Sequence, residues 1–160
     1  MSMRIGIGYD SHRLVEGRSL VLGGVEIPYH RGLKGHSDGD VLTHAIIDSI
    51  IGAMGEGDIG RHFPDADPSW KDASSLEMLG IVLDMLEEKG LSVSMVDSIV
   101  VTEEPRLAPY ISEMRRRLED AGLPEGGVNI KAKTNEAMGF IGRGEGIAAM
   151  AVCLLTETLP

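Results

Sequence analysis

The sequence is short of cysteine, of positive charge and of long apolar runs, and each shortage removes a class of explanation. One Cys among 160 residues, Cys153, excludes an intrachain disulfide framework and a thiolate zinc site. His and carboxylates are then the ligands left for a metal. Cys153 lies in the apolar stretch 148–155 and reads as a buried, inert thiol. Fifteen Lys+Arg face 25 Asp+Glu, a formal net charge of -10, and no basic run exceeds Arg115-Arg116-Arg117. Nucleic acid phosphates call for a basic footprint, so polynucleotides are excluded as partners. No stretch approaches the ~18 consecutive apolar residues of a bilayer span, and Met1-Ser2-Met3-Arg4-Ile5 has neither the basic start nor the apolar core of a signal peptide. The expectation is a reducing, cytoplasmic setting without a membrane partner.

What is present is an ordinary globular composition, 42% apolar and 25% charged, at a length that suits one domain over 1–160. Glycine is abundant at 21 residues, which points to tight turns or close backbone approaches. The acid is unevenly placed: residues 56–104 hold 12 acids and 3 bases, whereas both ends are nearly neutral. That is a surface property first, and only individual residues can turn it into a site.

Along the chain, Arg4 to Tyr9 reads as a strand, and Leu20–Leu22 with Val25–Ile27 as a hairpin across Gly23-Gly24. After a glycine-bearing polar loop over 32–39, Asp40 is a good N-cap for a helix over 41–54, where Leu42, Ala45, Ile46, Ile50 and Ala53 keep helical spacing. Gly55 to Gly60 stops it and opens a long polar loop through Pro68. A second helix is predicted over 74–89, a strand over 92–102, a third helix from near Pro109 to Gly122, and strands over 128–133 and 147–156. The class is α+β, and the glycine loops at 32–39, 55–68 and 135–146 are where function is expected.

Three constellations carry chemistry. Asp10 and His12, two apart on an extended strand, share one face; they form either half of a metal site or an Asp that fixes a His tautomer. Asp40, His44 and Asp48 stack at four-residue spacing on the first helix, as ligands or as a solvated stripe with an N-cap. Asp10, His12 and His44 together offer three N/O ligands, the number that leaves zinc an open, catalytic position. Lys131 to Glu136, running into the glycines at 139, 142, 144 and 146, suits a phosphate, with Glu136 able to hold a hard cation beside it; the alternative is a polar turn. No Walker A loop is present, and Gly6-Ile7-Gly8 lies within a strand rather than opening a helix. His30 and His62 read as surface or loop residues, and His36 as part of a loop suited to closing over a ligand. The residues alone thus point to a metal-assisted reaction on a small phosphorylated substrate.

The combination of Gly8-Tyr9-Asp10-Ser11-His12, His36-Ser37-Asp38-Gly39-Asp40-Val41 with His44, Gly57-Asp58-Ile59-Gly60 with Phe63-Pro64-Asp65, and Gly139-Phe140 with Gly142-Arg143-Gly144-Glu145-Gly146 closely resembles the 2-C-methyl-D-erythritol 2,4-cyclodiphosphate synthase family of the non-mevalonate isoprenoid (MEP) pathway. The resemblance covers nearly the whole chain. It implies an α+β homotrimer, each subunit a four-stranded sheet with helices packed on one face, and active sites at subunit junctions. Asp10, His12 and His44 would bind zinc. The substrate would be held by Asp10, Ser11, His12, His36 and Ser37, by Asp58, Ile59 and Gly60, and by Phe63, Pro64, Asp65, Ala66 and Asp67. Thr102, Glu103, Glu104, Pro105, Arg106, Leu107 and Ala108, with Lys133, Thr134, Asn135 and Glu136 of a neighbouring subunit, would hold its cytidine diphosphate. Glu136 would coordinate a second cation, magnesium or manganese. Phe140 and Arg143 would complete the site or line an axial cavity able to take an isoprenoid diphosphate.

The implied reaction is intramolecular: the 2-phosphate of 4-diphosphocytidyl-2-C-methyl-D-erythritol 2-phosphate attacks the β-phosphorus and expels CMP, with His36 and Thr134 as catalytic hydrogen-bond donors. Such a lyase needs no strong general base, because a phosphate monoester with a second pKa of about 6 is already ionised at neutral pH. It needs positioning and charge neutralisation instead. The chain departs from the common family pattern at Glu103-Glu104-Pro105-Arg106, and at Lys133 and Asn135, which are often Thr in relatives. A zinc hydrolase and a non-catalytic binder of isoprenoid diphosphates are the alternatives from other classes.

Overall fold

The computed structural model describes residues 2–158. Seven strands form, among these residues, a five-stranded sheet and a two-stranded one. The first strand, β1 (Met3–Glu16), is followed by β2 (Leu20–Leu22), β3 (Val25–Ile27), β4 (Arg31–Leu33) and the helix α1 (Val41–Met54). A one-turn helix α2 (Ile59–His62) and a 3-10 turn over Pro68–Trp70 precede α3 (Ser75–Glu88). Then come β5 (Leu91–Val101), a 3-10 turn at Ala108–Tyr110, α4 (Ile111–Asp120), β6 (Val128–Lys133), α5 (Gly139–Gly142) and β7 (Gly146–Glu157).

The large sheet has the order β4-β1-β7-β5-β6. Its long central strands pair antiparallel, β1 with β7 and β7 with β5, while β6 lies parallel to β5. A parallel neighbour cannot be reached by a tight turn, and the crossover between β5 and β6 is where α4 lies. The four-stranded sheet implied by the family resemblance is therefore corrected to five. The extra strand, β4, is three residues long and pairs Leu33 with Leu14 and Arg31 with Glu16. It escaped the sequence because Gly32 sits in a polar loop, and β1 runs on past Tyr9 to Glu16 through the polar Asp10-Ser11-His12. The predicted third helix is divided between the 3-10 turn that contains Pro109 and α4, and it ends at Asp120 rather than Gly122.

The helices pack on one face of this sheet. Leu42, Ala45, Ile46, Ile47, Ile50 and Ile51 of α1 are fully buried, between the sheet on one side and α3 with the small hairpin on the other. Two glycines let α1 lie directly on β1: a Cβ at Gly6 would stand 1.9 Å from the Ser49 carbonyl oxygen, and one at Gly8 2.0 Å from that of Ala45. This is why Gly6-Ile7-Gly8 is a packing surface. The opposite face of the sheet is bare and apolar. Met3, Ile5, Ile7 and Tyr9 of β1, Met95 of β5, and Met150 and Val152 of β7 are all exposed, Ile5 at 74% and Ile7 at 64%. No helix among the described residues is long and apolar enough to cross a membrane.

Candidate active site

Strand alternation and helix pitch bring the three ligand candidates to one point. Asp10 and His12 project to the helix side of β1, and His44, buried on α1, meets them across the sheet-helix interface. Asp10 Oδ2 lies 3.0 Å from His12 Nε2 and 3.0 Å from His44 Nδ1. The three ligand atoms all fall within 4.8 Å of one another. Tetrahedral ligands at ~2.0–2.1 Å from zinc stand roughly 3.3 Å apart, so the two 3.0 Å separations from Asp10 are within a few tenths of an ångström of that spacing. Burial opposes ionisation of Asp10, yet the hydrogen bonds and charges of His12 and His44 hold its carboxyl well below the usual carboxylate range. Burial likewise opposes a charge on His44, but the hydrogen bond and charge of Asp10, helped by Asp40 and Asp38, push its pKa up. Two imidazoles and a carboxylate that concentrate negative potential make a donor set suited to zinc or a similar divalent ion.

Asp40 and Asp48, the other members of the helical stripe, do different work. Asp40 is fully buried and accepts from Gly23 N at 2.9 Å, Gly24 N at 2.8 Å, Thr43 N at 3.0 Å and Thr43 Oγ1 at 2.7 Å. It caps α1 and pins the Gly23-Gly24 turn; burial, with the Asp38 charge nearby, raises its pKa. Asp48 accepts from the Ile59 amide at 3.0 Å and so anchors the start of α2.

The ligand cluster forms one wall of a cavity of about 660 Å³ whose other walls include Lys34, Gly35, His36, Ser37, Ile59, Gly60, Phe63, Asp65, Trp70 and Met78. His36, Ser37, Ile59, Gly60, Phe63 and Asp65 thus converge with the metal candidates. Ser11 points the other way, to a smaller cavity with Phe140 and Glu145. Asp58 and Asp67 are helix caps, accepting from Arg61 N and Ser69 N, and with Pro64 and Ala66 they stay off the cavity wall. Lys34, Trp70 and Met78 were not picked out by motif. Trp70 packs edge-on against Phe63 at 4.8 Å, a pairing across a loop that no spacing rule reveals.

The second group of site residues also gathers, in a separate place. Thr102, Glu103, Pro105, Arg106, Leu107 and Ala108 line a recess of about 180 Å³ with Ala132, Lys133 and Thr134. Glu104 contributes its carbonyl, which accepts from Thr102 Oγ1 at 2.7 Å. Glu103 also joins the recess to the following loop: its Oε1 accepts from Asn135 N at 2.7 Å and Ala137 N at 3.3 Å. That bond braces a strained turn, since Glu136 and Ala137 both have φ above +50°. Glu136 is exposed, with Oε1 3.3 Å from Thr134 Oγ1, and Arg143 is paired with Glu145 at 2.7 Å. None of the residues lining this recess lines the large cavity.

Residues 3–156 match the model of the YgbB family. The 2-C-methyl-D-erythritol 2,4-cyclodiphosphate synthase of Caldicellulosiruptor bescii is 56% identical over 155 residues, covering 96% of this chain and 99% of its own. The chain belongs to the YgbB family. The cyclodiphosphate synthase of Gloeobacter violaceus is 57% identical over 156 residues, 97% of this chain and 96% of that protein. Among solved structures, a CDP-bound 2C-methyl-D-erythritol-2,4-cyclodiphosphate synthase superposes with a TM-score of 0.87 at 36% identity, over 96% of this chain and all of that one. The bifunctional IspDF of Campylobacter jejuni gives 0.93 at 40% identity; there the match covers 98% of this chain and 42% of the longer one. Over nearly its whole length the chain thus shares one architecture with those enzymes.

Proposed function

We infer that the chain is a CMP-releasing cyclodiphosphate synthase, a phosphorus-oxygen lyase that converts 4-diphosphocytidyl-2-C-methyl-D-erythritol 2-phosphate to 2-C-methyl-D-erythritol 2,4-cyclodiphosphate in isoprenoid biosynthesis. The observation that carries this reading is the Asp10, His12 and His44 cluster in the wall of the large cavity, in a chain of this family. A divalent cation there, zinc by its donor set, supplies a Lewis acid toward phosphate oxygens. A second one, magnesium or manganese, would be held by Glu136. His36 and Ser37, at the same cavity, donate hydrogen bonds to oxygens gaining charge, while Ile59, Gly60, Phe63 and Asp65 orient the polyol. Asp58, Pro64, Ala66 and Asp67 shape that loop.

The cytidine end belongs at the recess of Thr102 to Ala108 with Lys133, Thr134 and Asn135; Thr134 donates to the diphosphate, and Lys133 adds charge complementary to it. Because that recess and the metal cavity share no wall within one chain, we place the complete site between subunits. The exposed apolar face of Ile5, Ile7, Tyr9, Met150 and Val152, too extensive to leave in water, supports this, and a homotrimer would cover it. Phe140 and Arg143 would then complete the site or line a cavity on the threefold axis, where an isoprenoid diphosphate is the expected guest. One domain over 1–160 in the cytoplasm completes the reading. The test is His44→Ala. CMP release should fall at least about 1,000-fold while light scattering still reports three subunits; a variant with full activity refutes the assignment.

A further inference from the structure

Ser75, the first residue of α3, is fully buried and belongs to no motif that the function absorbs. Its Oγ lies 2.8 Å from His44 Nε2 and hydrogen-bonds Asp38 Oδ1, while its backbone N–H donates to Asp38 Oδ2 at 2.8 Å. Ser74, the formal N-cap, makes no side-chain cap bond, so Asp38 caps α3 from another segment.

The direction of the protons follows from the groups. An ionised carboxylate only accepts, so the single Ser75 hydroxyl proton goes to Asp38. Ser75 Oγ is then an acceptor toward His44, which requires the hydrogen on Nε2. Ser37 Oγ, 3.1 Å away, can share the same N–H. Asp10 Oδ2, 3.0 Å from Nδ1, is likewise an acceptor, so Nδ1 also carries hydrogen until a cation displaces that proton, leaving the hydrogen on Nε2 and a lone pair on Nδ1.

We propose that Asp38 and Ser75 are positioning residues that hold His44 in its Nε2–H tautomer, aim the Nδ1 lone pair at the metal position, and fasten the His36-Ser37 loop to the same support. The loop is tied at three more points. Asp38 N donates to Ala73 O, Asp72 N donates to His36 O at 2.9 Å, and the Arg18 guanidinium donates to Gly35 O at 2.9 Å and Ser37 O at 2.7 Å. Asp38 therefore links the orientation of a metal ligand to the position of the phosphate-facing loop. Outer partners of this kind typically account for about 10–100-fold in metal affinity.

The inference rests on the metal reading of Asp10, His12 and His44, and the experiment separates the two. Zinc affinity is measured by competition with a chromophoric chelator for wild type and Ser75→Ala, and the side-chain ¹⁵N shifts of His44 are recorded by NMR. Zinc-loaded wild type should show His44 metallated at Nδ1 and protonated at Nε2. Ser75→Ala should bind zinc about 10–100-fold more weakly. A wild type that binds no zinc refutes the metal reading. A zinc-loaded wild type with His44 metallated at Nε2, or a Ser75→Ala protein with unchanged zinc affinity, refutes the role of Ser75. Ser75→Thr, which keeps the hydroxyl, should bind zinc as wild type does, and equal losses in the two variants would refute the hydrogen-bond role.

Discussion

Replacing Gly8 with alanine tests whether the packing of α1 on β1 sets the geometry of the metal ligands. The added Cβ would stand 2.0 Å from the Ala45 carbonyl oxygen and 2.6 Å from Ser49 N. Ordinary contact begins near 3.4 Å, so α1 and β1 must separate by about 1.4 Å or distort locally. Both neighbours are backbone atoms of a largely buried helix, so no flexible side chain can yield. Overpacking of this kind costs about 1–3 kcal/mol, and this site belongs at the upper end. The displacement reaches the chemistry directly, because Ala45 follows His44 and Gly8 lies two residues before Asp10. Metal sites tolerate distance errors of only about 0.2 Å, so zinc affinity should fall at least about 100-fold. Denaturant titration and chelator competition measure the two effects. Gly80→Ala is the control, since its Cβ meets nothing within 4 Å in the interior of α3, and it should stabilise by about 0.5–1 kcal/mol. A Gly8→Ala protein as stable as wild type with unchanged zinc affinity would refute the argument.

Two further outcomes are expected. Asp40→Ala leaves the amides of Gly23, Gly24 and Thr43 without their acceptor and should destabilise by about 2–4 kcal/mol in denaturant titration; a loss below about 0.5 kcal/mol would show that the cap is dispensable. Burial pushes the Cys153 thiol above its ordinary value of 9.0, and its Sγ donates to Ser49 O at 3.2 Å. The native thiol should therefore resist iodoacetamide from pH 7 to 9, while denatured protein labels faster as pH rises. The linked stability is fully present below the unfolded thiol pKa and is lost as pH rises toward the folded one, so labelling of native protein at pH 8 would contradict this.

The fold was most legible where apolar periodicity coincided with local punctuation. Asp40 before Leu42, Ala45, Ile46 and Ile50 marked α1, Gly23-Gly24 marked the hairpin, and Val128–Lys133 read as the strand it is. The missing elements are those that local sequence does not determine. β4 exists because Arg31 to Leu33 find partners at Leu14 to Glu16, and α2 and α5 are single turns too short for any period to register. The same division holds for the site. Asp10 and His12 were visible by strand alternation, but the joining of His44 to them depends on two glycines, 6 and 8, that let the helix close on the strand. Ser75 and Asp38 meet across 37 residues and carry no spacing signal at all. Net charge also proved a coarse guide. It argues against polyanions, yet the carboxylates of Asp10 and Glu136 are what would assemble cations for a small diphosphate.

The most direct test of the central claim is phosphorus NMR of the products formed from 4-diphosphocytidyl-2-C-methyl-D-erythritol 2-phosphate, with metal-loaded enzyme and after chelation. The account predicts the cyclic diphosphate and CMP from loaded enzyme, no turnover after chelation, and recovery when zinc and magnesium are restored. A linear, hydrolysed product, or full turnover by enzyme verified to be metal-free, would contradict it.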